Sequence, residues 1–213
     1  VDGRHTRGPG RPPQTSVEDI LTAAEAVGLK QLTRAAVAKR LGVSTATIRH
    51  HVESSSRLYS LACDRVFARL DVHGGSGTDW TEYLRLVAAR FARLLGEQPG
   101  LRDYVLFGPY EPATLDRFDR IMAELIDRDE RLDRATAYML GSRTLVIAAA
   151  MRAPDSESPT AQVHPQASTQ RGDVWTWTLD AFFRGADTLI AAGSVPDVIP
   201  VPDAPWSSVN EID

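Results

Sequence analysis

With 213 residues, 43% of them hydrophobic and 24% charged, the chain has the make-up of a folded globular protein rather than a disordered or fibrous one, and length enough for a small unit joined to a larger one. Its longest apolar run, Leu145–Met151, is too short to cross a bilayer, residues 1–16 lack the apolar centre of a secretory leader, and a lone Cys63 excludes an internal disulfide and any multi-cysteine metal site, so the expected setting is the reducing cytoplasm, away from membranes. The net charge of −4 is unevenly spread: residues 1–70 carry 11 Arg or Lys against 6 Asp or Glu, whereas residues 71–213 carry 13 against 22, a division that suits one unit binding a polyanion.

Residues 1–15 place Arg4, Arg7 and Arg11 among Gly and Pro, which predicts a flexible basic arm. Such an arm either lays arginines into a minor groove or is simply an unstructured end. Ser16, with Asp19 as its reciprocal partner, predicts the cap of a first helix in which Val17, Ile20, Leu21, Ala24 and Val27 follow helical spacing up to Gly28. Thr33 caps a second, short helix bearing Val37, Ala38 and Leu41, which Gly42 closes, and Ser44 caps a third that runs through His51. A fourth helix is expected to start at Ser55 or Ser56 and reach Leu70.

After His73-Gly-Gly-Ser-Gly the pattern stays helical, with helices expected at 79–96, 101–107, 112–128, 131–152 and 173–192. Ala153 to Gly172, rich in Pro, Ser, Thr and Gln, reads as a loop, and the Pro-rich tail beyond Gly193 as irregular structure. The expected fold class is therefore all-α: residues 16–70 a three-helix helix-turn-helix unit with a linker helix, and residues 71–213 a larger helical domain.

The segment Thr33–Val52 carries the functional argument. A helix-turn-helix needs a small residue in its first helix, a glycine at the turn and an apolar anchor on its second helix. Ala38, Gly42 and Ile48 supply these, and Val37, Leu41, Val43 and Val52 complete a small core. The outward face of the second helix then presents Thr45, Ala46, Thr47, Arg49 and His50. Arg49 is the leading candidate for base readout, because its fork can bond guanine O6 and N7 together. Thr45 and Thr47 are candidates for base or phosphate contacts, Ala46 for a thymine methyl, and Arg34 for backbone phosphate. His50 and His51 also invite a metal reading, but neighbouring helix positions point about 100° apart, so no metal or cofactor is expected.

This stretch, and Ile20–Phe67 more broadly, resembles the tetracycline-repressor (TetR) family of bacterial regulators, with Leu41-Gly-Val-Ser-Thr-Ala-Thr-Ile-Arg-His-His-Val52 standing where that family has Gly-Val-Ser, a Thr-Leu-Tyr core and a His followed by an apolar residue. The resemblance implies a homodimer on a palindromic double-stranded DNA operator, repression, and release by a small-molecule effector. Two departures stand out. Arg49 replaces the usual Tyr, and Glu53-Ser-Ser-Ser56 lacks the phosphate-gripping lysine, a role for which Ser55 or Ser56, Arg57 and the helix amino terminus are the candidate substitutes. With Ser44 at the cap, the DNA-binding candidates are Arg34, Ser44, Thr45, Ala46, Thr47, Arg49, His50, His51, Ser55 and Arg57.

The helical layout of that family also implies an effector pocket, for which Tyr83, Phe91, Tyr104, Phe107, Phe118 and Met122 are candidates, and a dimer seam formed by the last two long helices, for which Tyr138, Leu145, Val146, Trp177, Phe182 and Leu189 are candidates. Each of these side chains has ordinary core packing as its alternative. Neither a phosphate-binding glycine loop nor a nucleophile elbow occurs, so catalysis is not expected. The alternatives left open are a constitutive DNA-binding protein without a ligand and a ligand-dependent activator.

Overall fold

The computed structural model describes residues 15–151 and 171–194, and these contain helices and no strand. The basic arm, the 153–170 stretch and most of the Pro-rich tail fall outside the described residues.

Helix α1 (Val17–Val27) starts with the expected capping box: the Asp19 amide donates to Ser16 Oγ at 3.1 Å and the Ser16 amide to Asp19 Oδ2 at 2.9 Å. One 3-10 turn (Leu29–Gln31) leads to α2 (Arg34–Leu41), whose cap is Thr33, its hydroxyl accepting the Ala36 amide at 3.0 Å. Gly42 then adopts φ 69° and ψ 28°, the left-handed conformation that reverses the chain at little steric cost. Helix α3 (Thr45–His51) follows under a Ser44 cap, and α4 (Ser55–Phe67) under a Ser54 cap, starting at Ser55 as expected and ending three residues short of Leu70. Ile20, Ala24, Val37, Ala38, Ile48, Val52, Leu58 and Ala62 are all buried in one continuous core, while Leu41 and Val43 stay at its edge. Arg65 pairs with Glu18 and Glu25, and Arg69 with Glu25, binding α4 to α1 along its outer side.

Helix α5 (Trp80–Glu97) is capped by Asp79, whose Oδ1 accepts the Thr81 and Glu82 amides at 2.7 and 2.9 Å. It buries Trp80, Tyr83, Leu84, Val87, Ala88, Phe91, Leu94 and Leu95, the spacing of a single apolar face. Helices α6 (Leu101–Phe107) and α7 (Pro112–Arg128) have the predicted bounds. Helix α8 (Arg134–Met151) begins three residues later than predicted, because Asp133 accepts the Thr136 amide at 2.7 Å and so caps it. It lies at the centre of the larger part, against α5, α6, α7 and α9 (Arg171–Ala191). Its buried face is rich in small residues, and a Cβ on Gly141 would stand 2.9 Å from Ile121 of α7.

Candidate nucleic-acid interface

The small core fixes which side of α3 faces out. Ile48 is fully buried and Val52 nearly so, against residues of α1, α2 and α4, and replacing so buried an isoleucine by alanine typically removes ~2–5 kcal/mol. With that side anchored, Thr45, Ala46, Arg49 and His50 are exposed, and Thr47 and His51 are half-buried. The Thr47 hydroxyl lies 3.0 Å from Ser44 Oγ, so both side chains are engaged at the helix start. The His50 and His51 rings meet edge to face at 5.3 Å, and among the described residues no group of three or more His, Cys, Asp or Glu side chains is placed to hold a metal.

Around this face the other candidates divide. Ser55 is exposed in the first turn of α4. Arg34, half-buried, donates from Nη1 to the Glu53 carbonyl at 3.3 Å, which braces the start of α2 against the turn after α3. Arg57, expected on phosphate, is instead ion-paired with Glu111, the residue that opens α7.

Glu111 belongs to a set of contacts that sequence reasoning missed, all joining α4 to α7. The Glu111 carboxylate is turned toward Arg57 and does not cap its own helix. Asp64 of α4 provides the cap: its Oδ1 accepts the Thr114 amide at 2.7 Å and the Thr114 hydroxyl at 2.8 Å, and its Oδ2 accepts the Ala113 amide at 3.4 Å. Arg117 donates to the Ala68 carbonyl. These partners are about fifty residues apart, and only Glu-Pro at 111–112, an acidic residue ahead of a proline at a helix start, is a local signal. Cys63, beside this seam, is fully buried, and burial pushes its thiol up to about 12, so it is a packing residue with little thiolate character.

Of the proposed pocket residues, Tyr83, Phe91, Tyr104, Phe118 and Met122 are buried, whereas Phe107 is 80% exposed and does not line an interior cavity. Phe67, from the end of α4, sits among them, with ring centroids 5.9 Å from Phe91 and 6.0 Å from Phe118. Phe118 continues to Tyr110 at 5.8 Å and Tyr138 at 6.4 Å. Burial raises the Tyr104 phenol's pKa, and its hydroxyl lies 2.9 Å from Thr114 Oγ1. Of the candidate seam residues, Leu145 is buried within the chain itself and is core, a correction to the expectation. Phe182 packs partly against the core, Tyr138 and Val146 are half-buried, and Trp177 and Leu189 are exposed. No described helix is long and apolar enough to span a membrane.

No protein-family model matches the chain, and no curated protein sequence does. Solved structures do. The TetR family protein ActR of Streptomyces coelicolor, in complex with actinorhodin, is similar at a TM-score of 0.58 and 19% identity, over 86% of this chain and 96% of that one. A variant of TetR from Acinetobacter baumannii, in complex with minocycline, is similar at 0.60 and 18% identity, over 83% and 98%. The transcriptional regulator SCO7222, a TetR from Streptomyces coelicolor, is similar at 0.56 and 20% identity, over 85% and 100%. The helices of this chain are thus arranged in the all-α fold of the TetR-family regulators.

Proposed function

We propose that the chain is a bacterial TetR-family transcriptional regulator that acts in the cytoplasm, binds a palindromic operator as a homodimer, represses from it, and lets go when a small molecule occupies its larger helical part. The observation that carries the DNA-binding reading is the orientation of α3: Ile48 and Val52 are locked in the core while Thr45, Ala46, Arg49 and His50 face out beside the start of α4. A helix so presented fits a major groove with its first turns against the base edges. In this role Arg49 reads a guanine, Thr45 and His50 make neighbouring base or phosphate contacts, and Ala46 lies against the groove floor.

The dimer reading is supported by α9, which leaves Val174, Trp177 and Leu189 at 52%, 70% and 50% exposure along one helix. Large apolar side chains spaced this way, joined by Val146 of α8, suit a four-helix bundle with a second copy. The pairing would set two recognition helices about 34 Å apart, one turn of DNA. The effector reading is supported by the actinorhodin and minocycline complexes of proteins with this fold. The linker helix α4 ends among the aromatic side chains of α5 and α7, so a ligand that repacks them would move α4 and with it α3. No catalytic residue or cofactor is needed.

The test is selection of bound sequences from a random duplex pool by the purified full chain, alongside Arg49→Ala. An inverted repeat with a guanine preference that the variant loses is the expected result. Failure to enrich any sequence at low salt would overturn the reading.

A further inference from the structure

We propose that the Arg57–Glu111 ion pair is a latch, in which a buried carboxylate of the larger helical part competes with DNA phosphate for the same guanidinium and so holds down the affinity of the free protein for DNA. The inference rests on the DNA-binding reading above and adds to it a regulatory contact.

Arg57 stands in the first turn of α4, immediately after the α3–α4 connection and beside the exposed Ser55 and Ser56. This is the edge of the recognition surface, where a guanidinium is well placed to meet backbone phosphate. Its side chain is 51% exposed, so one side is open to solvent while the other meets Glu111. The Glu111 side chain is only 8% exposed. A carboxylate so buried is strongly unfavourable without a cation, which makes it a firm holder of Arg57 as long as DNA is absent. Phosphate binds arginine with the same fork geometry and charge, so the two anions are rivals for one site.

The latch also reaches inward. The Glu111 amide donates to the Tyr104 hydroxyl at 2.9 Å, and that hydroxyl is 2.9 Å from Thr114 Oγ1, which itself donates to Asp64. Glu111 is therefore held by α6 and α7 while its carboxylate holds α4. Any repacking of α6 against α7 alters how tightly Arg57 is kept from the DNA.

The experiment measures binding of the full chain to a random-sequence duplex by fluorescence anisotropy across a salt series, for wild type, Glu111→Gln, Arg57→Ala and the double variant. Glu111→Gln keeps the shape and removes the charge. It is expected to tighten binding about tenfold, the scale of one charge-assisted phosphate contact, and to steepen the slope of log K against log salt by about one per protomer. In the Arg57→Ala background the same change is expected to do nothing. Weaker or unchanged binding by Glu111→Gln, or a gain that survives without Arg57, overturns the latch. Should Glu111→Gln fail to fold by circular dichroism, Glu111→Asp, which withdraws the carboxylate by one methylene, takes its place with the same expected direction. Absence of duplex binding by wild type at low salt would overturn the DNA-binding reading and the latch together, whereas binding by wild type with no response at position 111 overturns the latch alone.

Discussion

Replacing Asp64 by alanine tests whether α7 depends on α4 for its start. In the native protein the Asp64 carboxylate receives the Thr114 amide and hydroxyl and, more distantly, the Ala113 amide. The Thr114 hydroxyl keeps a second partner in Tyr104, but its amide belongs to a fully buried residue and would be left without an acceptor. Loss of an N-cap is worth ~1 kcal/mol, and the negative charge facing a helix amino terminus adds a similar amount, up to about 1 kcal/mol. Leaving the buried amide unsatisfied brings the expected destabilisation of Asp64→Ala to ~2–3 kcal/mol. Asp64→Asn, which keeps one acceptor oxygen but loses the charge, should lose about half of that. Urea titration of the full chain followed by circular dichroism reads both, with Ser16→Ala as a control that removes only an ordinary surface cap, worth ~1 kcal/mol. If Asp64→Ala falls within about 0.5 kcal/mol of wild type, the range of an ordinary surface substitution, the cap contributes nothing and the argument fails.

Other outcomes follow from the same geometry. A Cβ at Gly100 would stand 2.6 Å from Leu29 Cβ and 2.9 Å from the Lys30 amide nitrogen, so Gly100→Ala should force the 3-10 turn away from the α5–α6 connection. A loss of ~1–3 kcal/mol by chemical denaturation is expected, and an unchanged midpoint would show that this contact is slack. Asp79 has its pKa lowered by the hydrogen bonds from the Thr81 side chain and the Glu82 and Thr81 amides, so its contribution is complete above the unfolded value near 3.8 and fades as the pH falls through the lower folded value. Asp79→Asn should therefore flatten the acid limb of a stability–pH curve below pH 3.8 and leave its slope near neutrality alone; a slope change confined to neutral pH would contradict this. Trp177→Arg, on the exposed side of α9, should shift sedimentation toward monomer without lowering the helical signal, and a retained dimer would place the seam elsewhere.

What could be read from the sequence was local. Caps and period set α1, α2, α3, α6 and α7, because Ser16, Thr33, Ser44, Gly42 and Pro112 each act within a few residues of where they stand. The start of α4 at Ser55 was legible as well, whereas its end was placed three residues too late, at Leu70, because that buried leucine continues the apolar pattern although the helix stops at Phe67. The start of α8 was expected at 131, three residues early, because helical spacing alone does not locate a cap, which Asp133 provides by accepting the Thr136 amide. The outward face of α3 was legible for the same reason as its core, since burying Ile48 leaves Arg49 no other side. Glu111 and Asp64 were not legible as partners of Arg57 and Thr114, because contacts across about fifty residues leave no periodicity. Trp177 and Leu145 were grouped together because helical spacing reports that a side chain is apolar, not whether its own chain or another covers it.

The seam between α4 and α7 also bears on how a chain of this fold can be cut and rejoined. The polar side chains of α4 that grip α7, Arg57 and Asp64, stand on one helix, while the side chains proposed to read bases stand on α3. A hybrid joined after α4 would pair a foreign linker helix with this α7, stranding the buried Glu111 carboxylate and leaving the Thr114 amide uncapped. A hybrid joined at Glu53, ahead of the Ser54 cap, would import a new recognition helix and keep every α4–α7 contact native. A junction in the short connection before α4 thus keeps the grip on α7 intact, while it sets the Arg65 and Arg69 pairs with Glu18 and Glu25 of α1 across the join.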